Sequence, residues 1–225
     1  MKIIAIIPAY NEGPRVAASV RDVIRFVDGV VVVDDCSLDD TARAAQAAGA
    51  FVVIHPLNRG QGAALQTGMD FAIEALGADA IVHFDADGQM QGEDVAALVA
   101  PLLAREADVV LGSRFLGKEA QNMPLTRRLT LKLATLFTRL TSGIRITDTH
   151  NGFRAFNKQA CTEVRITLDR MAHASEILDL IAARKLRFCE RPVTIFYSAD
   201  SLKKGSSFFG GFKILKDLAK KSVIG

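Results

Sequence analysis

The pattern Asp85-Ala86-Asp87 follows a short apolar run and places one carboxylate on each side of a small residue. Two carboxylates at this spacing can share a divalent cation, and Mg²⁺ or Mn²⁺ prefers such oxygen ligands. Gln89 stands two residues further on and can supply another oxygen. A metal held here would bridge to a diphosphate and stabilise its negative charge while a bond to phosphate breaks. The alternative is an acidic turn that binds nothing.

A second acidic pair, Asp34-Asp35, also follows an apolar run. Its carboxylates can accept hydrogen bonds from ribose hydroxyls or base N–H groups. They can instead form an Asx turn or cap the helix predicted from Asp39. Gly60-Gln61-Gly62 opens a further predicted helix, and its glycines let the backbone approach a ligand closely. Glycines are common in turns before helices, so this third pattern indicates little by itself.

Short apolar runs rich in β-branched residues alternate with amphipathic segments through the first half of the chain. The predicted strands are Lys2–Ile7, Val30–Val33, Phe51–Ile54, Ala80–Phe84 and Asp108–Leu111. The predicted helices are Pro14–Phe26, Asp39–Ala48, Gly62–Leu76 and Glu93–Ala104. Strands that are apolar on both faces and separated by helices predict an α/β fold, with a mostly parallel central sheet and helices on both faces. The carboxyl ends of such strands meet at one edge, where α/β sheets bind ligands, so the acidic motifs should lie together.

The second half is less regular. We predict a basic amphipathic helix over 125–141, a helix near Ala174–Arg184 and an apolar strand around Phe188–Phe196. A tail rich in Lys, Gly and Phe follows. The expected organisation is a nucleotide-sugar-binding half over 1–115, an acceptor-binding half of the same domain over 116–200, and a basic amphipathic tail over 201–225.

The charge of the chain is strongly asymmetric. Residues 1–113 carry 7 Lys and Arg against 16 Asp and Glu, a net charge of −9, whereas residues 114–225 carry 21 against 9, a net charge of +12. This asymmetry indicates a cationic face for an anionic partner such as phosphate or an acidic membrane surface. A nucleic acid is not the expected partner, because the basic half lacks interleaved stacking aromatics.

Cysteine use and hydropathy limit the location of the protein. Three widely spaced cysteines form no CxxC pair, so the sequence indicates neither a disulfide framework nor a zinc site and favours a reducing compartment. No apolar run reaches about 18 residues, so no transmembrane helix is predicted. The first apolar stretch is too short for a signal peptide and is interpreted as a buried strand.

The ordered set of motifs resembles the family 2 glycosyltransferases, which are inverting enzymes of the GT-A, Rossmann-like fold. Within that family it is most similar to the dolichyl- and polyprenyl-phosphate mannosyl- or glucosyltransferases. The motifs are Ile7-Pro8-Ala9-Tyr10-Asn11-Glu12, Val33 to Thr41, Asn58-Arg59-Gly60, Asp85-Ala86-Asp87-Gly88-Gln89 and Gly112-Ser113-Arg114. Two positions depart from the usual pattern. Cys36 replaces a glycine, and Gln61 stands where Lys or Gly is frequent, so no phosphate-binding lysine is expected there.

The resemblance assigns roles to particular residues. For the nucleotide it implies contacts from the loops that follow the strands, namely Pro8, Ala9, Tyr10, Asn11, Glu12, Asp34, Asp35, Gly62, Asp85 and Ala86. For Mg²⁺ or Mn²⁺ it implies Asp85, Asp87 and Gln89. The expected catalytic group is Asp87, Arg114 and Asp148. Gly152-Phe153-Arg154 resembles an acceptor-side motif and Lys204-Gly205-Ser206-Ser207 a phosphate-contacting segment, so the residues expected at the acceptor or its phosphate are Arg127, Arg128, Arg154, Lys203 and Lys204.

The expected reaction is inverting transfer of a hexose from a GDP- or UDP-linked donor to a polyprenyl phosphate. A lipid phosphate is ionised near neutrality and needs cations rather than a base. The alternative acceptor is a sugar hydroxyl of a glycolipid or polysaccharide intermediate, for which Asp148 is the candidate base; a structural hydrogen-bonding role for Asp148 is equally open.

Two segments indicate a membrane surface as a further partner. Over 125–141, one helical stripe is made of leucines and Phe137 and the remainder is basic, and the tail combines phenylalanines with lysines. Basic amphipathic helices can lie in an anionic interface, although a core-packing helix is the alternative for 125–141. The expected location is peripheral, on the cytoplasmic face of a membrane, with a small membrane-anchoring protein as a further candidate partner.

Other classes fit less well. A dinucleotide oxidoreductase would need GxGxxG after the first strand, where this chain has Pro8-Ala9-Tyr10-Asn11-Glu12. A DxDGT phosphatase would have its motif after an N-terminal strand, and a calcium loop would need a glutamate at its twelfth position. An inactive binding subunit with the same fold would not need both Asp85 and Asp87.

Overall fold

The computed structural model describes residues 1–117, 125–149, 151–168 and 172–197. In chain order the strands are β1 Ile3–Ala9, β2 Gly29–Asp34, β3 Phe51–Ile54, β4 Ala80–His83, β5 Val109–Ser113, β6 Arg154–Asn157 and β7 Phe188–Pro192. The helices are α1 Gly13–Val23, α2 Thr41–Ala47, α3 Gln61–Glu74, α4 Val95–Leu103, α5 Leu125–Ser142, α6 Lys158–Glu163 and α7 His173–Ala183. Single 3₁₀ turns lie at Ile24–Phe26 and Gly92–Asp94.

The described strands form one seven-stranded sheet in the order β3-β2-β1-β4-β6-β5-β7. All neighbouring pairs are parallel except those of β6, which is antiparallel to both β4 and β5. Strands from the first and second halves of the chain therefore share one sheet. The predicted α/β architecture with a mostly parallel sheet is confirmed.

Alternate residues of the strands pack on opposite faces of the sheet, as the pleat requires. Ala5 and Ile7 of β1 face a core that includes α1 and α4, whereas Ile4 and Ile6 face one that includes α3 and α7. Every residue of β2 is buried. The continuous runs of Ile and Val thus mark strands that are covered on both faces.

The edge strand β3 departs from the prediction of strands apolar on both faces and buried. Phe51 is 49% exposed and Ile54 is 63% exposed, because β3 pairs only with β2 among the described strands. Apolar sequence alone does not distinguish a central strand from an edge strand.

The second half contains two elements that the sequence analysis missed, β6 and α6. The four residues of β6 begin with Arg154 and end with Asn157, which also caps α6 by accepting a hydrogen bond from the Ala160 amide at 2.7 Å. The last predicted strand ends at Pro192 rather than Phe196. Beyond Pro192 the chain leaves β7, and Ile195 forms an isolated antiparallel bridge with Met90.

The ends of β1, β2 and β4 place their following loops at one edge of the sheet, as predicted. Gly60, with a φ of 90°, turns the chain from the β3 loop into α3 at the same edge. None of the helices within the described ranges combines the length and the hydropathy of a membrane-spanning segment.

Candidate active site

The loop after β4 carries the two carboxylates predicted to hold a metal. Asp85 Oδ1 accepts a hydrogen bond from the Gln61 side-chain amide at 3.1 Å, and Asp87 Oδ1 accepts one from the Gln89 backbone N–H at 3.1 Å. Burial and the negative charge of Asp87 raise the pKa of Asp85 to about 7, against the opposing effects of Arg154 and Gln61. A cation would offset the repulsion between the Asp85 and Asp87 carboxylates.

Contacts from distant elements hold this loop in place. The buried Ser19 hydroxyl of α1 donates to the Ala86 carbonyl at 3.0 Å. The Asp85 N–H donates a hydrogen bond to Met90 Sδ at 3.2 Å. Phe196 N–H donates to the Gln89 carbonyl at 2.9 Å. The positions of Asp85 and Asp87 therefore depend on α1 and on the segment that follows β7.

The Asp85 and Asp87 carboxylates fit a cation whose other ligands come from a substrate. Within the described part of the chain, no three His, Cys, Asp or Glu side chains lie close enough to form a metal site by themselves. Mg²⁺ is commonly held in nucleotide sites by one or two carboxylates together with substrate phosphates and water. Asp85 and Asp87 match that arrangement, and the side-chain oxygen of Gln89 remains a predicted ligand.

The acidic pair after β2 is engaged differently. Asp34 Oδ1 accepts from the Ser37 N–H at 3.0 Å, a local side-chain-to-backbone contact three residues along the chain. Asp35 is 2% exposed, and its carboxylate accepts from the backbone N–H groups of Arg59 and Gly60 at 2.9 and 2.6 Å. His55 Nδ1 lies 2.8 Å from the same carboxylate. Asp35 thus fixes the loop that precedes α3, and any contact with a nucleoside uses its remaining acceptor capacity.

The loop after β1 is joined to the loop after β2. Asn11 N–H donates to the Ser37 hydroxyl, and Asn11 Oδ1 accepts from the Leu38 N–H, each at 2.9 Å. Tyr10 is 47% exposed beside this junction. Pro8 and Ala9 end β1, and the Glu12 N–H donates to Thr41 at 2.8 Å, while its side chain pairs with Arg15. The structure therefore brings together the residues predicted to contact the nucleoside, and the exposed Tyr10 ring is accessible to a base.

Local geometry explains the residue type at two positions, Cys36 and Gly62. Cys36 has a φ of 64°, a left-handed conformation that favours glycine, which agrees with the glycine usual at this place in the resembling family. At Gly62, a Cβ atom would lie 2.3 Å from the Leu168 carbonyl oxygen and 3.0 Å from His173 Cβ. Close packing is therefore a sufficient reason for glycine at 62, and its predicted contact with a nucleotide is untested.

Arg114 and Asp148, both predicted to be catalytic, form a buried ion pair with each other. Arg114 Nε and Nη2 donate to Asp148 Oδ2 and Oδ1, each at 2.6 Å, and Arg114 Nη1 donates to the Tyr197 hydroxyl at 2.8 Å. Burial by itself would lower the pKa of Arg114, but the hydrogen bonds and charge of Asp148 outweigh burial and raise it. Both side chains are thus committed to a structural contact in this conformation, in agreement with the hydrogen-bonding role left open for Asp148.

The Asn151-Gly152-Phe153-Arg154 segment lies directly against the metal-binding loop. A Cβ atom at Gly152 would lie 2.9 Å from Asp85 Oδ2, so the backbone here touches the carboxylate. Arg154 is buried in β6 opposite His83 of β4. Burial lowers the pKa of Arg154 to about 10, whereas the charges of Asp85 and Asp148 raise it. Its position beside Asp85 favours the donor site, although an acceptor phosphate was predicted for it.

The remaining predicted cations are not assembled at this edge by the described residues. Arg128 is exposed on α5. The side chain of Arg127 and all of Lys203 and Lys204 lie outside the described residues. Their predicted role at an acceptor phosphate remains untested.

Several residues of the site were not found by sequence reasoning. Ser19, His55 and Tyr197 contact residues 67, 20 and 83 positions away, and no local sequence pattern indicates such pairs. His83 and Asn151 are buried with side-chain nitrogens that have no partner among the described residues. For His83 and Asn151, the one signal in the sequence was a polar residue in or beside the motifs around positions 85 and 152.

Residues 4–165 match the model of Glycosyl transferase family 2. A UDP-N-acetylglucosamine--dolichyl-phosphate N-acetylglucosaminyltransferase of Methanococcus voltae is 33% identical, over 94% of this chain and 92% of that protein. An undecaprenyl-phosphate mannosyltransferase of Micrococcus luteus is 34% identical, over 69% of this chain and 66% of that protein. Dolichyl- and polyprenyl-phosphate sugar transferases are therefore among the relatives, as the motifs predicted.

The fold is also that of solved glycosyltransferases. A glucosyl-3-phosphoglycerate synthase from Mycobacterium tuberculosis, in complex with Mg²⁺ and uridine diphosphate, superposes with a TM-score of 0.68 at 21% identity, over 86% of this chain and 70% of that one. This similarity confirms the predicted GT-A architecture. From its match over residues 4–165 and from its relatives, the chain belongs to glycosyl transferase family 2 and is a glycosyltransferase.

Proposed function

We propose that this glycosyltransferase transfers a hexose, with inversion, from a GDP- or UDP-linked donor to a polyprenyl phosphate. The observation that carries the donor side is the pair Asp85 and Asp87 in the loop after β4, where the charge of Asp87 and burial together raise the pKa of Asp85. Mg²⁺ or Mn²⁺ bound there would stabilise the departing nucleoside diphosphate. A structural neighbour was solved with Mn²⁺ and UDP-glucose, which supports the same cofactor class.

The state of Asp148 favours a phosphate acceptor over a hydroxyl. Both of its carboxylate oxygens accept hydrogen bonds from Arg114, and the pair is buried. Removing a proton from an acceptor hydroxyl would require this ion pair to break. An ionised lipid phosphate needs no such base, and relatives named for dolichyl- and undecaprenyl-phosphate transfer support that acceptor.

The experiment is a donor screen. UDP- and GDP-hexoses are incubated with Mn²⁺ and the protein, and release of the nucleoside diphosphate is measured with polyprenyl phosphate present or absent. We expect release that depends on the lipid phosphate and is lost in EDTA. Transfer to a sugar hydroxyl with no response to lipid phosphate would contradict the proposal and favour the alternative acceptor.

Arg128 provides a test of the acceptor side. Two unit charges about 5 Å apart repel by roughly 3 kcal/mol at an effective dielectric of 20, so loss of a cation that offsets this repulsion should slow transfer about 10²-fold. We expect this loss for Arg128→Ala, with nucleotide affinity unchanged, and the same for Lys204→Ala. The matched control is Arg145→Ala, which removes an exposed cation from the same half of the chain. Equal activity of the Arg128 and Arg145 variants would contradict the assignment.

Asp148→Asn needs a different interpretation from that of a simple base variant. Removing one partner of a buried ion pair costs about 3–5 kcal/mol, because the other charge remains buried. An inactive Asp148→Asn protein would therefore identify a base only if its unfolding transition matched that of the wild type. The pH dependence of transfer by the wild type is the cleaner test.

A membrane surface is part of the same proposal. Leu129, Leu133 and Leu136 of α5 are 61%, 58% and 52% exposed, and the neighbouring Arg128 and Lys132 are exposed as well. An apolar stripe beside cations suits the interface of an anionic membrane, here taken as the cytoplasmic face, better than core packing. A small membrane-anchoring partner would be sought at the same stripe. Salt-sensitive flotation with anionic liposomes is the test, and failure to float at low salt would contradict it.

The proposal also assigns a separate role to each of three segments of the chain. Residues 1–115 would bind the nucleotide-sugar and residues 116–200 the acceptor, with 201–225 as the basic tail. The placement of the acidic strand-end loops in the first segment and of α5 in the second supports this division.

A further inference from the structure

The loop before β6 contains a buried amide whose hydrogen-bonding capacity is only half used. Asn151 is 4% exposed, and its Oδ1 accepts a hydrogen bond from the Phe153 N–H at 3.0 Å. Its Nδ2 is buried and has no partner within the described residues. A carboxamide nitrogen has two hydrogens to donate, and leaving such a donor unpaired costs about 1–3 kcal/mol.

The residue that follows Asn151 lies against the candidate metal site. Gly152, the next residue, approaches Asp85 so closely that a Cβ atom would lie 2.9 Å from Asp85 Oδ2 and 3.3 Å from Met90 Cε. On the other side, the Phe153 carbonyl accepts from the Gly112 N–H at 2.9 Å, which ties the loop to β5. Asn151 is thus held on a braced segment within one residue of the contact with Asp85.

An unpaired buried donor in a native protein calls for an explanation, because such groups are rare. Two are available for Asn151. A fixed water can complete its hydrogen bonding, in which case the amide stabilises the fold. Alternatively, a ligand oxygen completes it, and the protein without ligand carries the cost. The position of Asn151 next to Gly152, whose backbone lies against the Asp85 carboxylate of the candidate donor site, favours a ligand.

We propose that the Asn151 side-chain amide donates a hydrogen bond to an oxygen of the nucleotide-sugar donor held at Asp85 and Asp87. The oxygen belongs to the diphosphate or to a hydroxyl of the transferred sugar, and both are acceptors of the same chemical class. This inference rests on the donor binding of the proposed function and deepens it by adding a residue that selects for that ligand.

The chain offers variants that separate the two uses of Asn151. Asn151→Ser keeps an oxygen that can accept from the Phe153 N–H but has no amide donor. Asn151→Ala loses both. If the amide serves a ligand, Asn151→Ser should melt no lower than the unliganded wild type, because the unpaired donor is gone. Asn151→Ala should melt below Asn151→Ser, because it also loses the acceptor for the Phe153 N–H. Both should bind the donor more weakly.

The measurements are thermal unfolding without ligand and calorimetric titration of UDP, UDP-glucose, GDP and GDP-mannose in the presence of Mn²⁺. We expect Asn151→Ser to bind its ligand about 10- to 100-fold more weakly, the effect of losing one hydrogen bond from a buried donor. Weaker binding of both the diphosphate and the nucleotide-sugar identifies a phosphate oxygen. Weaker binding of the nucleotide-sugar alone identifies a sugar hydroxyl.

Two results would overturn the inference. One is an Asn151→Ser protein that binds every ligand within about twofold of the wild type while the wild type binds at least one of them. The other is a lowered melting temperature with unchanged affinity, as expected for a structural water. A wild-type protein that binds none of the four ligands would instead overturn the proposed function, and this inference with it.

Discussion

Asp35 and Asp85 occupy equivalent places after the parallel strands β2 and β4, yet their carboxylates have opposite surroundings. Asp35 accepts hydrogen bonds from the backbone N–H groups of Arg59 and Gly60, and its carboxylate lies beside His55. Asp85 accepts one hydrogen bond from a described residue, Gln61, and it faces a second carboxylate. Asp35 thus has several hydrogen-bonding partners in the protein, whereas Asp85 is held in a state that a cation would stabilise.

The difference shows that an acidic residue at a strand end can have either of two functions. At β2 the negative charge fixes the backbone of a neighbouring loop, and at β4 the chain itself leaves the charge only partly compensated. The acidic motifs look alike in sequence, because the side chains and N–H groups that donate to Asp35 and Asp85 come from residues 20 or more positions away. The following variants test this distinction, from the largest expected effect to the smallest.

The largest effect is expected at the metal-binding loop. Asp87→Ala should lower transfer at least about 10³-fold, since metal-assisted stabilisation of the leaving group contributes several kcal/mol. The fold should be intact by circular dichroism, because no core packing is lost. Turnover near that of the wild type, or full wild-type activity in excess EDTA, would show that no metal acts here.

At β2 the expected loss is one of stability. Asp35→Ala leaves the N–H groups of Arg59 and Gly60 and the buried His55 ring without their acceptor, so we expect the free energy of unfolding in urea to fall by about 3 kcal/mol. Asp34→Ala is the matched control, because the Asp34 carboxylate accepts from Ser37, and its loss should cost only about 1 kcal/mol. A stable Asp35→Ala protein that has lost nucleotide affinity would mean that Asp35 serves the ligand first.

The difference between Asp35 and Asp85 also shows what the sequence alone does not predict. Apolar β-branched runs located β1 to β5, because strands whose residues are apolar on both faces leave a continuous signal in the sequence. The strand β6 was missed, since it is four residues long, begins with Arg154, and depends on antiparallel pairing with β4 and β5. The pairing of Arg114 with Asp148 was missed for the same reason, as it joins residues 34 positions apart. Motifs showed which residues gather at the sheet edge but not which of them bind one another.

The smallest expected effect concerns Asp85 and depends on pH. In the folded protein its pKa is raised to about 7, from 3.8 in the unfolded chain. Between these values the folded state binds more protons than the unfolded state, so the free energy of unfolding falls as pH rises. The contribution of the protonated carboxyl is therefore present at pH 4 and is lost by pH 8.

Asp85→Asn removes this dependence, because an amide stays neutral and keeps an oxygen for Gln61. We therefore expect the unliganded variant to melt about 2 °C or more above the wild type at pH 8 and close to it at pH 5, since 1 kcal/mol corresponds to roughly 2–4 °C for a chain of this size. Added Mn²⁺ with nucleoside diphosphate should stabilise the wild type and leave the variant unchanged, because binding to the folded state raises its stability. The measurement is thermal unfolding at the two pH values with and without the ligands. A difference between the two proteins that is the same at pH 5 and pH 8 would show that Asp85, like Asp35, is already compensated by the protein.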